Sequence, residues 1–162
     1  MNYYLPQNYT SRSIPEYFDD TAIYKDEKIH QPHIYYLAQY LVTKFNTSTV
    51  MDIGSGNGEK LSYLQVRNKI GVDFGSNLEF CRTEYPKNKW VELNLEQEEQ
   101  TREFQLPTER CIIICSDVVE HLVNPLHLLK LLQRACEKGH IVITSTPDRI
   151  KLRGVQHVGP PN

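Results

Sequence analysis

The sequence predicts an α/β fold, a parallel sheet wound on both faces by helices. Three observations carry the prediction. Short apolar runs alternate with helix-period segments along most of the chain, the pattern that builds a parallel sheet. The run Cys111-Ile-Ile-Ile-Cys115 has no polar alternation, as a parallel strand covered on both faces should read. A glycine-rich stretch separates the first strand from the helix after it, where a doubly wound sheet places its ligand loop.

The elements follow in order. Residues 1–31 mix Tyr, Pro, Ser and charge without a clean period, and read as an irregular lead-in or lid ahead of a single domain over 32–162. A helix is predicted from Pro32, since Pro suits a first helical position and Ile34, Leu37, Tyr40, Leu41 and Phe45 recur at helical spacing. A strand is predicted over 49–53, a loop over 54–58 and a helix over 59–66. The second strand covers 69–73 and the second helix of the alternation 76–85, with Ser76 as its cap. The third strand covers 89–93. Residues 96–105 are charged and polar and predict a short exposed helix with a solvated acidic face. The fourth strand is 111–115. Asn124-Pro125 opens a helix whose buried stripe would be Leu126, Leu129, Leu132 and Ala135, and Lys138-Gly139 ends it. The fifth strand is 140–144, and the Pro/Gly-rich remainder to residue 162 reads as loop.

Composition narrows the function classes. The chain has 162 residues, 40% hydrophobic and 23% charged, which describes a globular domain rather than a disordered one. Its 18 basic and 20 acidic side chains give a formal charge of -2, so a nucleic-acid-coating or membrane-surface role gains no support. No run of about 18 apolar residues exists to span a bilayer. The start, MNYYLPQNYTSRS, lacks the charged and then apolar order of a secretory signal, which leads to a cytoplasmic expectation. Cys81, Cys111, Cys115 and Cys136 form no C-x-x-C pair and read as buried, reduced thiols. The six histidines form no zinc pattern, and no metal is expected.

The chemistry is concentrated after the first strand, in Asp52-Ile-Gly54-Ser55-Gly56-Asn-Gly58. Glycines there let the backbone turn sharply and approach a ligand closely, and the next helix turns its N-terminal amides toward that ligand. The spacing is not the dinucleotide G-x-G-x-x-G/A, because Glu59 stands at the third position and would set a negative charge beside a pyrophosphate. No G-K-S/T follows, which excludes a P-loop. Asp73 ends the second strand, 19 residues after Gly54, where an acid accepts hydrogen bonds from ribose hydroxyls.

Asp52-x-Gly54-x-Gly56-x-Gly58 resembles the first motif of the class I S-adenosylmethionine-dependent methyltransferases. That cofactor has no phosphate and carries an ammonium and a sulfonium, so acid beside the loop attracts it. The resemblance implies a Rossmann-like sheet of order 3-2-1-4-5 with the cofactor across the C-terminal ends of strands 1, 2 and 4. It implies that Phe74 flanks the adenine and that Asn94 and Leu95 contact the adenine edge. The segment Ser116-Asp117-Val118-Val119-Glu120-His121 is similar to the family's fourth motif, beneath the methionine portion and the transferred methyl. The stretches QPHIYYLAQYL, DIGSGNGEKL, GVDFGSNLEFCRTEYP, SDVVEHLVNP and STPDR…GVQHVGPPN resemble bacterial methyltransferases found among polysaccharide and glycosyltransferase genes.

The expected activity is methyl transfer to a small-molecule or saccharide-type acceptor at oxygen or nitrogen, with S-adenosylhomocysteine as product. His121 is the candidate general base, since histidine titrates near neutral pH. A structural histidine is the alternative, because in-line transfer from an activated donor can run on positioning alone. Tyr24, Gln31 and Tyr35 are lid candidates, with packing of the N-terminal helix as the alternative. Class I domains continue past the fifth strand with two more strands, which makes this sequence resemble a truncated form. That suggests two other readings, a cofactor-binding but catalytically incomplete fragment or an accessory subunit. An exposed fifth strand would also offer an edge for homo-oligomers. A nicotinamide-dependent oxidoreductase is the weakest reading.

Overall fold

The computed structural model describes residues 32–146. The predicted lead-in, Tyr24, Gln31 and the C-terminal loop lie outside these residues. The elements run α1 (Pro32–Phe45), β1 (Thr49–Ile53), α2 (Glu59–Ser62), β2 (Asn68–Asp73), α3 (Ser76–Glu84), β3 (Lys89–Glu92), α4 (Glu98–Glu103), β4 (Ile112–Ser116), α5 (Leu126–Glu137) and β5 (Ile141–Ser145), with a 3-10 turn at Val119–His121. The sheet has the order β3-β2-β1-β4-β5, with every pair parallel, as expected.

Two apolar layers sandwich the sheet. Met51, Ile53, Val72, Ile113 and Cys115 face one side with Leu128, Leu131 and Ala135 of α5. Val50, Ile112, Ile114 and Ile143 face the other with Tyr35, Ala38 and Val42 of α1. Both faces of β1 and β4 are therefore covered, which is why neither strand shows a polar alternation. Each fully buried Ile or Leu contributes roughly 1.5–3 kcal/mol relative to exposure.

The helix faces differ from the sequence expectation. In α1 the buried stripe is Tyr35, Ala38 and Val42, whereas Leu37, Tyr40 and Phe45 are exposed. In α5 it is Leu128, Leu131, Leu132 and Ala135, whereas Leu126 and Leu129 are each 51% exposed. The first helix carries apolar or aromatic residues on nearly every side, and in α5 the apolar arc is wide enough for two overlapping stripes, so more than one phase satisfies the 3.6 period and packing selects one. The helix expected over 59–66 stops after one turn, because the backbone N–H of Gln65 is taken by Oε1 of Gln39 on α1. Gly75, not Ser76, occupies the cap of α3. The acidic helix α4 is exposed apart from Thr101, and Arg134 of α5 donates to the carbonyls of Thr101, Arg102 and Phe104 at its end, satisfying groups the helix leaves open. Cys81, Cys111 and Cys115 are buried thiols, but Cys136 is exposed.

Candidate functional site

The glycine loop lies at the C-terminal end of β1 and is fastened to β2 by its own amides. The N–H groups of Gly54 and Ser55 both donate to the Val72 carbonyl, at 2.8 and 3.1 Å. Gly56 N–H donates to Oδ2 of Asp73 at 2.7 Å, and Gly58 N–H to the Ser55 carbonyl at 3.0 Å. Gly54 has a φ of +77° and a Cβ there would meet Cγ2 of Val118 at 2.4 Å. Side chains disfavour that backbone region, and Val118 fills the remaining space. The first and fourth motifs thus pack directly on each other.

Asp73 is 8% exposed and holds the loop from below. Besides Gly56, its Oδ1 accepts from Phe74 N–H at 2.8 Å and from Asn77 Nδ2 at 3.1 Å. Burial pushes its carboxyl above the ordinary carboxylate value, and the three donors act against that rise. A carboxylate offers about four lone-pair positions, so capacity remains on Oδ2. Phe74, half-buried, follows directly.

Asp52 is 1% exposed on β1, and Oη of Tyr35 donates to its Oδ2 at 2.8 Å. Burial pushes this carboxyl up to about 7, opposed by the Tyr35 hydrogen bond and by Lys60. Burial, with Asp52 beside it, also raises the Tyr35 phenol. Lys60 Nζ sits 5.6 Å from the Tyr35 ring centroid. Tyr35 is therefore a buried tie between α1 and the strand that carries the loop, the packing alternative to a lid role.

At the end of β4, Ser116 Oγ and Ser145 Oγ lie 2.7 Å apart, and Asp117 N–H donates to the Ser145 carbonyl at 3.0 Å. Asp117 has a φ of +56°, an uncommon conformation for a residue with a side chain. Glu120 accepts from Thr146 Oγ1 at 3.2 Å through Oε2, while its Oε1 is buried without a hydrogen-bond partner. Burial, with Asp117 nearby, pushes its carboxyl up to about 7. His121 closes the 3-10 turn, its N–H donating to the Val118 carbonyl at 3.0 Å.

Asn94 follows β3, and its Oδ1 accepts from Glu96 N–H at 3.0 Å, so the side-chain oxygen closes its own turn. Leu95 is 6% exposed and turns into the apolar core, which leaves its backbone as the part that can face a ligand. The structure thus joins Asp52, Gly54, Ser55, Gly56, Gly58, Asp73, Phe74 and Val118 at one sheet end, with Ser116, Asp117 and His121 beside them on β4 and its turn. Sequence reasoning missed Asn77, Glu120 and Glu96. Asn77 stands four residues after Asp73, a helical offset that could have flagged it. Glu96 accepts from Val123 N–H at 2.6 Å and from Asn124 N–H at 3.1 Å, linking the turn after β3 to the loop that enters α5. No local pattern announces that contact, and it removes Glu96 from the solvated face predicted for it.

Two properties define what this site can hold. The amides of Gly54, Ser55, Gly56 and Gly58 are committed to protein acceptors, so they form no open cradle for a phosphate. Two buried carboxyls, Asp52 and Asp73, flank the loop, and in their ionised forms they favour a cationic ligand over an anionic one.

A family model described as a methyltransferase domain matches residues 27–158. Among solved structures, the chain is similar to CalS10, an S-adenosylmethionine-bound amino pentose methyltransferase from Micromonospora echinaspora involved in calicheamicin biosynthesis. The TM-score is 0.56 at 13% identity, covering 71% of this chain and 50% of that one. YjhP from E. coli gives a TM-score of 0.51 at 16% identity, covering 76% of this chain and 54% of that one. At such identities the likeness is one of fold, and the chain spans about half the length of these two structures. No curated protein matches the chain significantly. Among the described residues no helix is long and apolar enough to cross a membrane.

Proposed function

This chain belongs to the methyltransferase-domain family, and on that premise we propose that it binds S-adenosylmethionine at the glycine loop and directs its methyl to a small-molecule or saccharide-type acceptor. The observation that carries the reading is the loop itself, its amides consumed internally and two buried carboxyls beside it. That environment suits a sulfonium and an ammonium and opposes a pyrophosphate. The oxidoreductase reading has no support from it.

When bound, S-adenosylmethionine would supply an activated methyl on its sulfonium and leave as S-adenosylhomocysteine. Asp73 accepts from ribose hydroxyls through its remaining Oδ2 capacity. Phe74 flanks the adenine, and Asn94 with the Leu95 backbone meets the adenine edge. Ser55 Oγ is buried without a partner, a polar atom a ligand can satisfy. Asp52 acts indirectly, by holding β1 against α1. Ser116, Asp117 and Val118 lie under the methionine portion. The acceptor proton passes to His121 or to the neighbouring Glu120, whose raised carboxyl suits a base near neutral pH. A sugar acceptor agrees with the motif resemblance and with the amino pentose acted on by one structural neighbour.

Calorimetry on the full chain tests the reading. S-adenosylmethionine and S-adenosylhomocysteine are expected to bind, and NAD is not. Asp73→Ala should weaken both by about 1.5–3 kcal/mol, the range for a hydrogen bond to a charged group. Absence of binding by either sulfur ligand overturns it. The alternative outcome is a binding module without turnover. Binding together with no methyl transfer to any sugar or phenolic acceptor would select it.

A further inference from the structure

A cavity of about 670 Å³ opens at the N-terminal ends of β1, β2 and β3, beside the segment that leads into β4. Thr49, Asn68 and Lys89, the first residues of those three strands, all line it, so it lies at the sheet end opposite the glycine loop. Its floor is apolar, built by Met51, Ile70, Val91, Phe104 and Leu106. Met51 and Leu106 are buried, whereas Ile70, Val91 and Phe104 are only half-buried and keep apolar surface facing the opening. The rim carries three exposed cations, Arg67, Lys87 and Lys89, against one carboxylate, Glu109. None of these cations enters an ion pair or a side-chain hydrogen bond among the described residues, in contrast to Arg102, Lys130 and Arg134 on the neighbouring helices.

Three cations with no ion pair among the described residues, gathered around one concavity in a chain with a net charge of -2, make a local positive field that an incoming anion relieves. The half-buried apolar floor would be covered favourably by a hydrocarbon or aromatic body. The volume lies within the range of about 300–1,000 Å³ usual for small-molecule sites. We propose that this cavity binds an organic phosphate, a phosphate or diphosphate ester with an apolar body, its anion held by Arg67, Lys87 and Lys89 and its body lying on Ile70, Val91 and Phe104. Arg67 brings the planar fork that pairs two phosphate oxygens, and the lysines act as point charges. A recessed floor suits a soluble ester, since a flat layer of lipid headgroups would not reach it. The two sheet ends are separate, so this site does not depend on what the glycine loop binds.

Calorimetric titration of the full chain with 1-naphthyl phosphate and with inorganic phosphate tests the proposal. Expected are one saturable site for 1-naphthyl phosphate, at least tenfold weaker binding of inorganic phosphate, and at least tenfold loss in the double variant Lys87→Glu/Lys89→Glu. Circular dichroism establishes that the variant is folded, and Arg67→Glu replaces it if it is not. Saturating S-adenosylhomocysteine and phosphatidylglycerol vesicles are expected to leave the affinity unchanged. The proposal is overturned if 1-naphthyl phosphate does not bind, if inorganic phosphate binds as tightly, or if the charge reversal has no effect. Displacement by S-adenosylhomocysteine overturns it by moving the site to the glycine loop. Competition by the vesicles overturns the soluble ester as ligand.

Discussion

Asp52 is a carboxyl enclosed on β1 with Tyr35 as its hydrogen-bond partner and a value of about 7 against an ordinary 3.8. Between those two values the folded chain holds a proton that the unfolded chain has released. Stability from this group is therefore complete below pH 4 and is lost as pH rises to 7. Glu120, raised from 4.5 to about 7, changes stability in the same direction. Asp52→Asn keeps an oxygen for the Tyr35 hydroxyl and removes the titration. Urea unfolding at pH 5 and pH 8 should show the variant losing less stability across that interval than the parent, by on the order of 2–3 kcal/mol. An equal loss in both proteins would mean that Asp52 stays ionised in the fold. The same residue shows a limit of motif reading, because the acid of the first motif is legible in the sequence but its partner, 17 positions away, is not.

At the scale of elements, β2 meets β3 through Gly71 and Trp90, which stand opposite each other in the parallel register. A Cβ on Gly71 would lie 2.0 Å from Cζ3 of Trp90. The ring cannot turn aside cheaply, because its Nε1 donates to the Tyr85 carbonyl at 2.9 Å. Gly71→Ala should cost roughly 2–3 kcal/mol by overpacking, read as a lowered thermal midpoint, and Trp90→Leu in the same chain should recover part of it. Five strands were legible from their short apolar runs, within a residue or so at each end. Helix faces were less legible. With Leu126, Leu128, Leu129, Leu131 and Leu132 in one segment, two stripes satisfy the period, and contact with Ile113 and Cys115 selects between them. Helix length failed at α2 because Gln39 of another element ends it.

Over the whole molecule, burial is graded across the sheet. All five residues of β1 are buried and it pairs on both sides, whereas among the described residues β3 pairs only with β2 and its two terminal residues are exposed. Local opening follows such gradients. Native-state hydrogen exchange should find the amides of β1 and β4 released only by global unfolding and those of β3 earlier. Simultaneous release of all three would mean that the sheet opens as one unit. Among the described residues the two sheet ends also divide the chemistry, with paired and buried acids at the C-terminal end of the strands and cations without ion pairs at the N-terminal end.

The sequence by itself determined the parallel α/β architecture and the location of the glycine loop, together with the acids at 52 and 73. These are local properties, an apolar run, a glycine spacing, a residue at a strand end. Its likeness to a known motif supplied the order of the strands. Only the tertiary structure decided which stripe of each helix is buried, that Tyr35 ties down Asp52, that Glu96 joins the turn after β3 to the loop that enters α5, and that Arg67, Lys87 and Lys89 gather around one cavity. The physical reason is that each of these is a contact between side chains distant in sequence. Its geometry is set by how the sheet and helices pack, and no local pattern encodes it.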